Sequence, residues 1–111
     1  MTYLLKDLAG QLTNGTITAR SLVEDCLAAI DAPDGEGKRA FIETYHNRAR
    51  EEANAVDRAR EQGLSLPSFA GIPLSIKDLF DEADTVTRAG SKVLKDATPA
   101  IKDAAVLARL K

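Results

Sequence analysis

The sequence predicts an α/β fold, with N-terminal helices packed against the first strands of a mixed β-sheet. Three observations carry this expectation. Apolar residues recur at helical spacing through the first half of the chain, an alternating apolar/polar run begins at Gly71, and a helical pattern returns after Asp103. All 111 residues read as part of a single domain, with a helical part over about 1–64 and the start of a sheet-bearing core over about 65–111.

Leu4, Leu5, Leu8 and Leu12 share one face of a helix expected over residues 2–13, and Asn14-Gly15 offers the left-handed residue that commonly ends a helix. Thr18 is the expected N-cap of a second helix, whose apolar stripe comprises Leu22, Val23, Cys26, Leu27 and Ile30. Asp31 to Gly37 is rich in turn formers and reads as a surface loop. Phe41, Ile42, Thr44 and Tyr45 favour a short extended segment. A third helix over His46–Gln62 follows, with Ala49, Ala53 and Val56 turned inward, and Gly63 stops it.

Ile72, Leu74 and Ile76 alternate with Pro73, Ser75 and Lys77, which places the two sets on opposite faces of a strand. Proline is tolerated at such a strand start. Thr85–Ala89 offers a second strand, Gly90-Ser91 a turn, and Asp103 a cap for a helix with Ala105, Val106 and Leu110 on one side. That last helix carries no stop signal, so the chain is expected to end within an element, with the rest of the sheet lying downstream.

Composition narrows the function classes. The chain is 44% hydrophobic, ordinary for a soluble globular protein and unlike a disordered or fibrous one. Fifteen Lys and Arg against seventeen Asp and Glu give a net charge of −2, so no electrostatic footprint for nucleic-acid phosphates is present. Arg48, Arg50, Arg58 and Arg60 are interleaved with Glu51, Glu52, Asp57 and Glu61, which reads as a charge-balanced solvated face. Cys26 is the single cysteine and His46 the single histidine. A disulfide framework, a thiolate cluster and the two-histidine metalloprotease motif are thereby excluded, and a reducing, cytoplasmic setting fits. Cys26 is expected to serve packing, and His46 to be a polar residue at a helix start. No run approaches the ~18 apolar residues of a membrane span, and no secretory leader pattern opens the chain.

The stretch Phe69-Ala-Gly-Ile-Pro-Leu-Ser-Ile-Lys-Asp-Leu-Phe-Asp81, followed by Thr87-Arg-Ala-Gly-Ser91, is the informative part. It resembles the core of the amidase-signature family, in which a Gly-Ile-Pro strand leads into Lys-Asp and a Thr-x-x-Gly-Ser turn follows. The resemblance extends back through the Gly15-Thr-Ile-Thr18 turn and forward to Asp103-Ala-Ala-Val-x-x-x-Leu110, so it covers essentially the whole chain. It implies that Lys77 is the base of a Ser-cisSer-Lys triad that hydrolyses a carbon–nitrogen amide bond through an acyl-serine, with no metal or organic cofactor. It also implies a small-molecule amide substrate; charge balance and the lack of a long apolar run argue against a direct nucleic-acid or membrane partner, and a homodimer is left open.

The chemistry is coherent. An amide is a poor electrophile and a serine hydroxyl a weak nucleophile, so a positioned base must take the proton as attack begins. A lysine can do this only when uncharged, and burial among apolar neighbours disfavours the ammonium form. Ile72, Leu74, Ile76, Leu79 and Phe80 are expected to supply that burial. Asp78 reads either as a turn-forming aspartate or as a carboxylate holding the loop through backbone N–H bonds. The resemblance implies a structural Gly-Ser turn at Ser91, and Ser75 and Ser21 have no better claim to be the nucleophile.

The family often has glycine where Asp84 stands and threonine where Arg88 stands, which bears on subfamily more than on membership. No Gly-Ser-Ser type run occurs, so the nucleophile and bridging serine are expected downstream and the chain by itself is expected to be inactive. Two alternatives remain open at this point: the A subunit of a glutamine-dependent tRNA amidotransferase, and a non-catalytic helical interaction module.

Overall fold

The computed structural model describes residues 4–111, and the chain divides into two compact units, Met1–Pro73 and Leu74–Lys111. The first unit is helical: α1 (Leu5–Thr13), α2 (Ala19–Asp31), a single turn α3 (Gly37–Ala40) and α4 (His46–Glu61). The second holds a 3₁₀ turn (Lys92–Leu94) and α5 (Ala105–Leu110). The sequence predicts a first helix from residue 2, and residues 2 and 3 lie outside those described.

The helix ends follow from local chemistry. Gly15 (φ 77°) and Gly63 (φ 73°) take up the left-handed conformation just beyond α1 and α4, as their positions in the sequence predict. Thr18 caps α2 reciprocally with Ser21: the Ser21 N–H donates to Thr18 Oγ1 (3.0 Å) and the Thr18 N–H to Ser21 Oγ (3.1 Å). The next two orphan donors of that helix, the N–H groups of Ala19 and Arg20, are taken by the two carboxylate oxygens of Asp57 on α4, at 2.8 and 2.9 Å. All four free donors at the start of α2 therefore have partners.

The core of this unit is Leu12, Ala19, Val23, Leu27 and Ala53, with Ile17, Leu22, Ala49, Val56 and Ile72 packed around it. Burying a leucine such as Leu12 stabilises by about 1.5–3 kcal/mol. α2 packs chiefly on α4, with Ala19 and Ala53 among the residues buried there. Gly37 is required by space: a Cβ there would lie 1.9 Å from the carbonyl oxygen of Ile30.

Several expectations are corrected. Cys26 is exposed and outside the core, because the buried arc of α2 runs through Ala19, Val23 and Leu27 at i, i+4, i+8 and leaves Cys26 on its flank. Local desolvation, then the charge of Asp25, pushes its thiol up. The charges of α4 are not simply a solvated face. Arg50 reaches across to Glu24 with a two-pronged contact (2.8 and 3.0 Å), Asp57 caps α2, and Arg60 donates to the Ala70 carbonyl (3.2 Å). His46 does sit at a helix start, where its Nε2 lies 2.8 Å from Asp31 Oδ2.

The largest difference concerns the sheet. Among the described residues there is no strand, only an isolated parallel bridge between Ala83 and Ala100. Residues 73–76 alternate as a strand does, yet no backbone hydrogen bond joins them to another described segment. Alternation specifies which side chains would share a face, whereas a strand exists only when a neighbour completes its ladder. In α5 the N-cap is Ala104 and the buried residue is Leu107, while Val106 and Leu110 are exposed. Asp103 instead accepts the Ala83 N–H (2.8 Å) and pairs with Lys111 (2.9 Å).

Candidate functional site

The site candidate lies in the second unit. Lys77 opens a tight turn: its carbonyl oxygen accepts the N–H groups of Leu79 (2.7 Å) and Phe80 (3.1 Å). Its side chain is exposed, and among the described residues nothing engages its amine. The predicted apolar enclosure is not formed by the chain neighbours, since Leu74, Ile76, Leu79 and Phe80 are themselves exposed and Ile72 packs into the helical core. The cause is geometric: side chains adjacent along a turn fan outward, and only a segment laid over them can take an amine out of water.

The residues after Lys77 are tied down more firmly. Asp78 Oδ1 accepts the backbone N–H of Arg88 at 2.9 Å, so the loop-holding reading of this carboxylate has a partner in the structure. Its Oδ2 is buried without one. Three residues on, Asp81 Oδ1 accepts the Thr87 hydroxyl (2.7 Å), and the Asp81 carbonyl accepts the Ala104 N–H (2.8 Å). Sequence reasoning assigns no role to Asp81 or Thr87. The available signal is the i, i+3 spacing of two aspartates beside a turn, nine and six residues before a Thr-x-x-Gly-Ser run.

That run is itself a turn. The Ser91 N–H donates to the Arg88 carbonyl (2.8 Å), and the two central residues, Ala89 (φ 51°) and Gly90 (φ 70°), both have positive φ, the pattern of a type I′ turn. Ser91 Oγ then accepts the Val93 N–H (3.2 Å) and caps the 3₁₀ turn. Ser21 is occupied in the cap of α2, and Ser75 is exposed on the unpaired segment before Lys77. Asp84 sits at φ 64°, the left-handed geometry that suits glycine, while its N–H donates to the Ala100 carbonyl (2.8 Å).

Among the described residues no cluster of three or more His, Cys, Asp or Glu could hold a metal ion, and no helix is long and apolar enough to cross a membrane. A shallow depression in the first unit is lined by Gly10, Thr13, Arg60, Leu64 and Pro67 and carries no nucleophile paired with a base. Chemically, the second unit presents a primary amine on a turn whose backbone is pinned by two carboxylates.

Comparison with known proteins places these features. The chain is 42% identical over 100 residues to AtzE of Pseudomonas sp. (strain ADP), named as part of 1-carboxybiuret hydrolase, covering 90% of this chain and 22% of that protein. It is 43% identical over 89 residues to the A subunit of the glutamyl-tRNA(Gln) amidotransferase of Synechococcus sp. (strain WH7803), covering 80% of this chain and 18% of that one. A solved structure described as an unexpected vestigial protein complex revealing the evolutionary origins of an s-triazine catabolic enzyme superposes with a TM-score of 0.85 at 39% identity, over 94% of this chain and 22% of that chain. The chain thus spans about a fifth of the length of the relatives it matches. Residues 21–111, which include the Lys77 turn and the Thr87–Ser91 turn, match the Amidase family model, and the chain belongs to that family.

Proposed function

We propose that the complete protein hydrolyses a carbon–nitrogen amide bond in a small molecule, and that Lys77 is the base that takes the proton of a nucleophilic serine through a bridging serine. The observation that carries this reading is the match of residues 21–111 to the Amidase family, with the Gly71-Ile-Pro-Leu-Ser-Ile-Lys77 segment inside it. The amine of Lys77 is unengaged among the described residues, which leaves it free to meet a serine hydroxyl from elsewhere in the complete protein. Proton removal by a positioned amine contributes roughly 10²–10⁴-fold in such reactions. No residue in this chain is assigned as the nucleophile, and the 111-residue chain alone is inactive in this reading.

A second reading has its own support. Relatives at 43% and 39% identity are named as amidotransferase A subunits, and the name of AtzE likewise makes it one subunit of its enzyme. These names support an assembly with other proteins over a lone homodimer. Ammonia release by the complete protein separates the readings. Release from simple aliphatic or aromatic amides without any partner supports the hydrolase, and release from glutamine only when partner subunits are added supports the amidotransferase. Release that persists undiminished in a Lys77→Ala variant overturns the role given to Lys77 in both.

A further inference from the structure

We propose that Asp78 is a positioning residue for Lys77, acting through a clasp in which Asp78 and Asp81 hold the Lys77 turn against the Thr87–Ser91 turn. The inference rests on the reading of Lys77 as the catalytic base and deepens it. Four hydrogen bonds define the clasp: Leu79 and Phe80 N–H to the Lys77 carbonyl, Arg88 N–H to Asp78 Oδ1, and the Thr87 hydroxyl to Asp81 Oδ1. The two carboxylates stand at i and i+3 and grip two consecutive residues, so the clasp resists both sliding and twisting of one turn on the other. The far side is rigid in its turn, because Arg88 and Ser91 close the 88–91 turn and Ser91 caps the segment that follows.

The need for such a device follows from the rest of the geometry. Residues 73–76 make no backbone hydrogen bond to another described segment, so between Ile72, packed in the helical core, and Lys77 no such bond holds the backbone. Its long side chain has four rotatable bonds and no partner among the described residues. A base must meet its proton donor within a few tenths of an ångström, and the anchor of its backbone is then the residue beside it. Asp78 carries that load: it is partly buried and bonded to a backbone N–H ten residues away. Its second oxygen is buried without a partner, which a mere turn former, free to face water, would avoid.

The test is steady-state amide hydrolysis by the complete protein, comparing the parent with Lys77→Ala, Asp78→Ala, Asp78→Asn and Thr87→Val. Asp78→Ala is expected to lower kcat on the order of a hundredfold with KM changed less than about threefold, since the base is misplaced and substrate binding is not. Asp78→Asn keeps an oxygen acceptor for the Arg88 N–H and recovers most of that loss. Thr87→Val lowers kcat in the same direction by a smaller factor. An Asp78→Ala variant with kcat within about twofold of the parent, or one whose loss lies in KM alone, overturns the clasp. If Asp78→Ala does not fold, Asp78→Asn decides: near-parental kcat supports the clasp, and a loss on the order of a hundredfold overturns it. Lys77→Ala separates the two levels. Its retention of turnover would sink the catalytic-base reading, whereas an inactive Lys77→Ala beside a fully active Asp78→Ala sinks the clasp alone.

Discussion

Asp57, on α4, accepts the Ala19 N–H at 2.8 Å, and its other oxygen takes the Arg20 N–H, so one side chain closes the N-terminus of α2 from the neighbouring helix. A carboxylate there satisfies two orphan donors and meets the positive end of the helix dipole. Asp57→Ala is expected to destabilise by about 1–3 kcal/mol, because both N–H groups lose their acceptor in a half-buried site. Asp57→Asn, with one acceptor oxygen left, should cost less. Urea unfolding of the three proteins checks the order, and equal midpoints for Asp57→Ala and parent would refute it.

Gly71, the glycine of the Gly-Ile-Pro run, has φ 96°, and a Cβ added to it would lie 2.8 Å from the Ala19 Cβ and 3.2 Å from Val56 Cγ1. Its absent side chain lets the backbone lie against α2 and α4. Gly71→Ala combines a disallowed φ with overpacking against the helices and should cost roughly 2–4 kcal/mol. Gly90→Ala, at similar φ (70°) but with open space around it, should cost less, on the order of 1 kcal/mol. The gap between the two melting temperatures measures the packing contribution separately from backbone strain.

Asp84 occupies left-handed backbone at φ 64° with its side chain exposed. Replacing it by glycine relieves the strain but enlarges the unfolded ensemble, so the net gain is expected to be small, up to about 1 kcal/mol. Asp84→Val, β-branched and without a side chain that hydrogen-bonds locally, should lose about 1–2 kcal/mol. Thermal melts that placed Val above Gly would show that the turn does not hold φ positive.

Glu24 lies between Arg50 and Arg20, with Arg50 Nε at 2.8 Å and Arg20 Nε at 2.6 Å from the same oxygen. The hydrogen bond from Arg50, then that from Arg20, holds its carboxyl down at about 2 from an ordinary value of 4.5. A lowered folded-state value means that the stabilisation is fully present above 4.5 and is lost as pH falls towards 2. The difference in melting temperature between parent and Glu24→Gln should therefore be constant from neutral pH down to about 5 and close below that. Because the cluster is only partly buried, added salt should shrink the difference at neutral pH. A difference that widened on acidification would contradict the assignment.

How much of this was legible in the sequence depends on how far each feature reaches along the chain. Gly15, Thr18 and Gly63 act within a few residues of themselves, and the ends of α1, α2 and α4 were readable from them. Asp57, Arg50 and Arg60 read as a solvated face because their partners, Ala19, Glu24 and Ala70, are set by tertiary packing and not by spacing along α4. The same limit explains the strand expectation at residues 72–77: period two survives in the sequence whether or not a neighbouring strand is there to pair with it. At the site, the position at Asp84 where the family favours glycine was legible, and it adopts φ 64°, while the link from Asp81 to Thr87 required two turns to be brought face to face.

For Lys77 in the complete protein, charge and basicity can be separated by substitution. Arginine matches lysine in charge and nearly in length, so Lys77→Arg preserves any role as a positional cation. It cannot preserve a role as base, because a guanidinium holds its proton throughout the working range and offers no lone pair. Lys77→Arg and Lys77→Ala should both therefore lose turnover of an amide substrate, by at least the roughly 10²–10⁴-fold that a positioned base contributes. Their effects on folding should diverge from this. The side chain is exposed and makes no described contact, so within this chain Lys77→Ala should shift stability by no more than about 0.5 kcal/mol. Activity lost at unchanged stability of residues 1–111 marks a chemical role, and stability lost in step with activity marks a structural one. An arginine variant of the complete protein that turned over amide at close to the parental rate would reduce Lys77 to a fixed positive charge, and proton removal would then have to be assigned elsewhere.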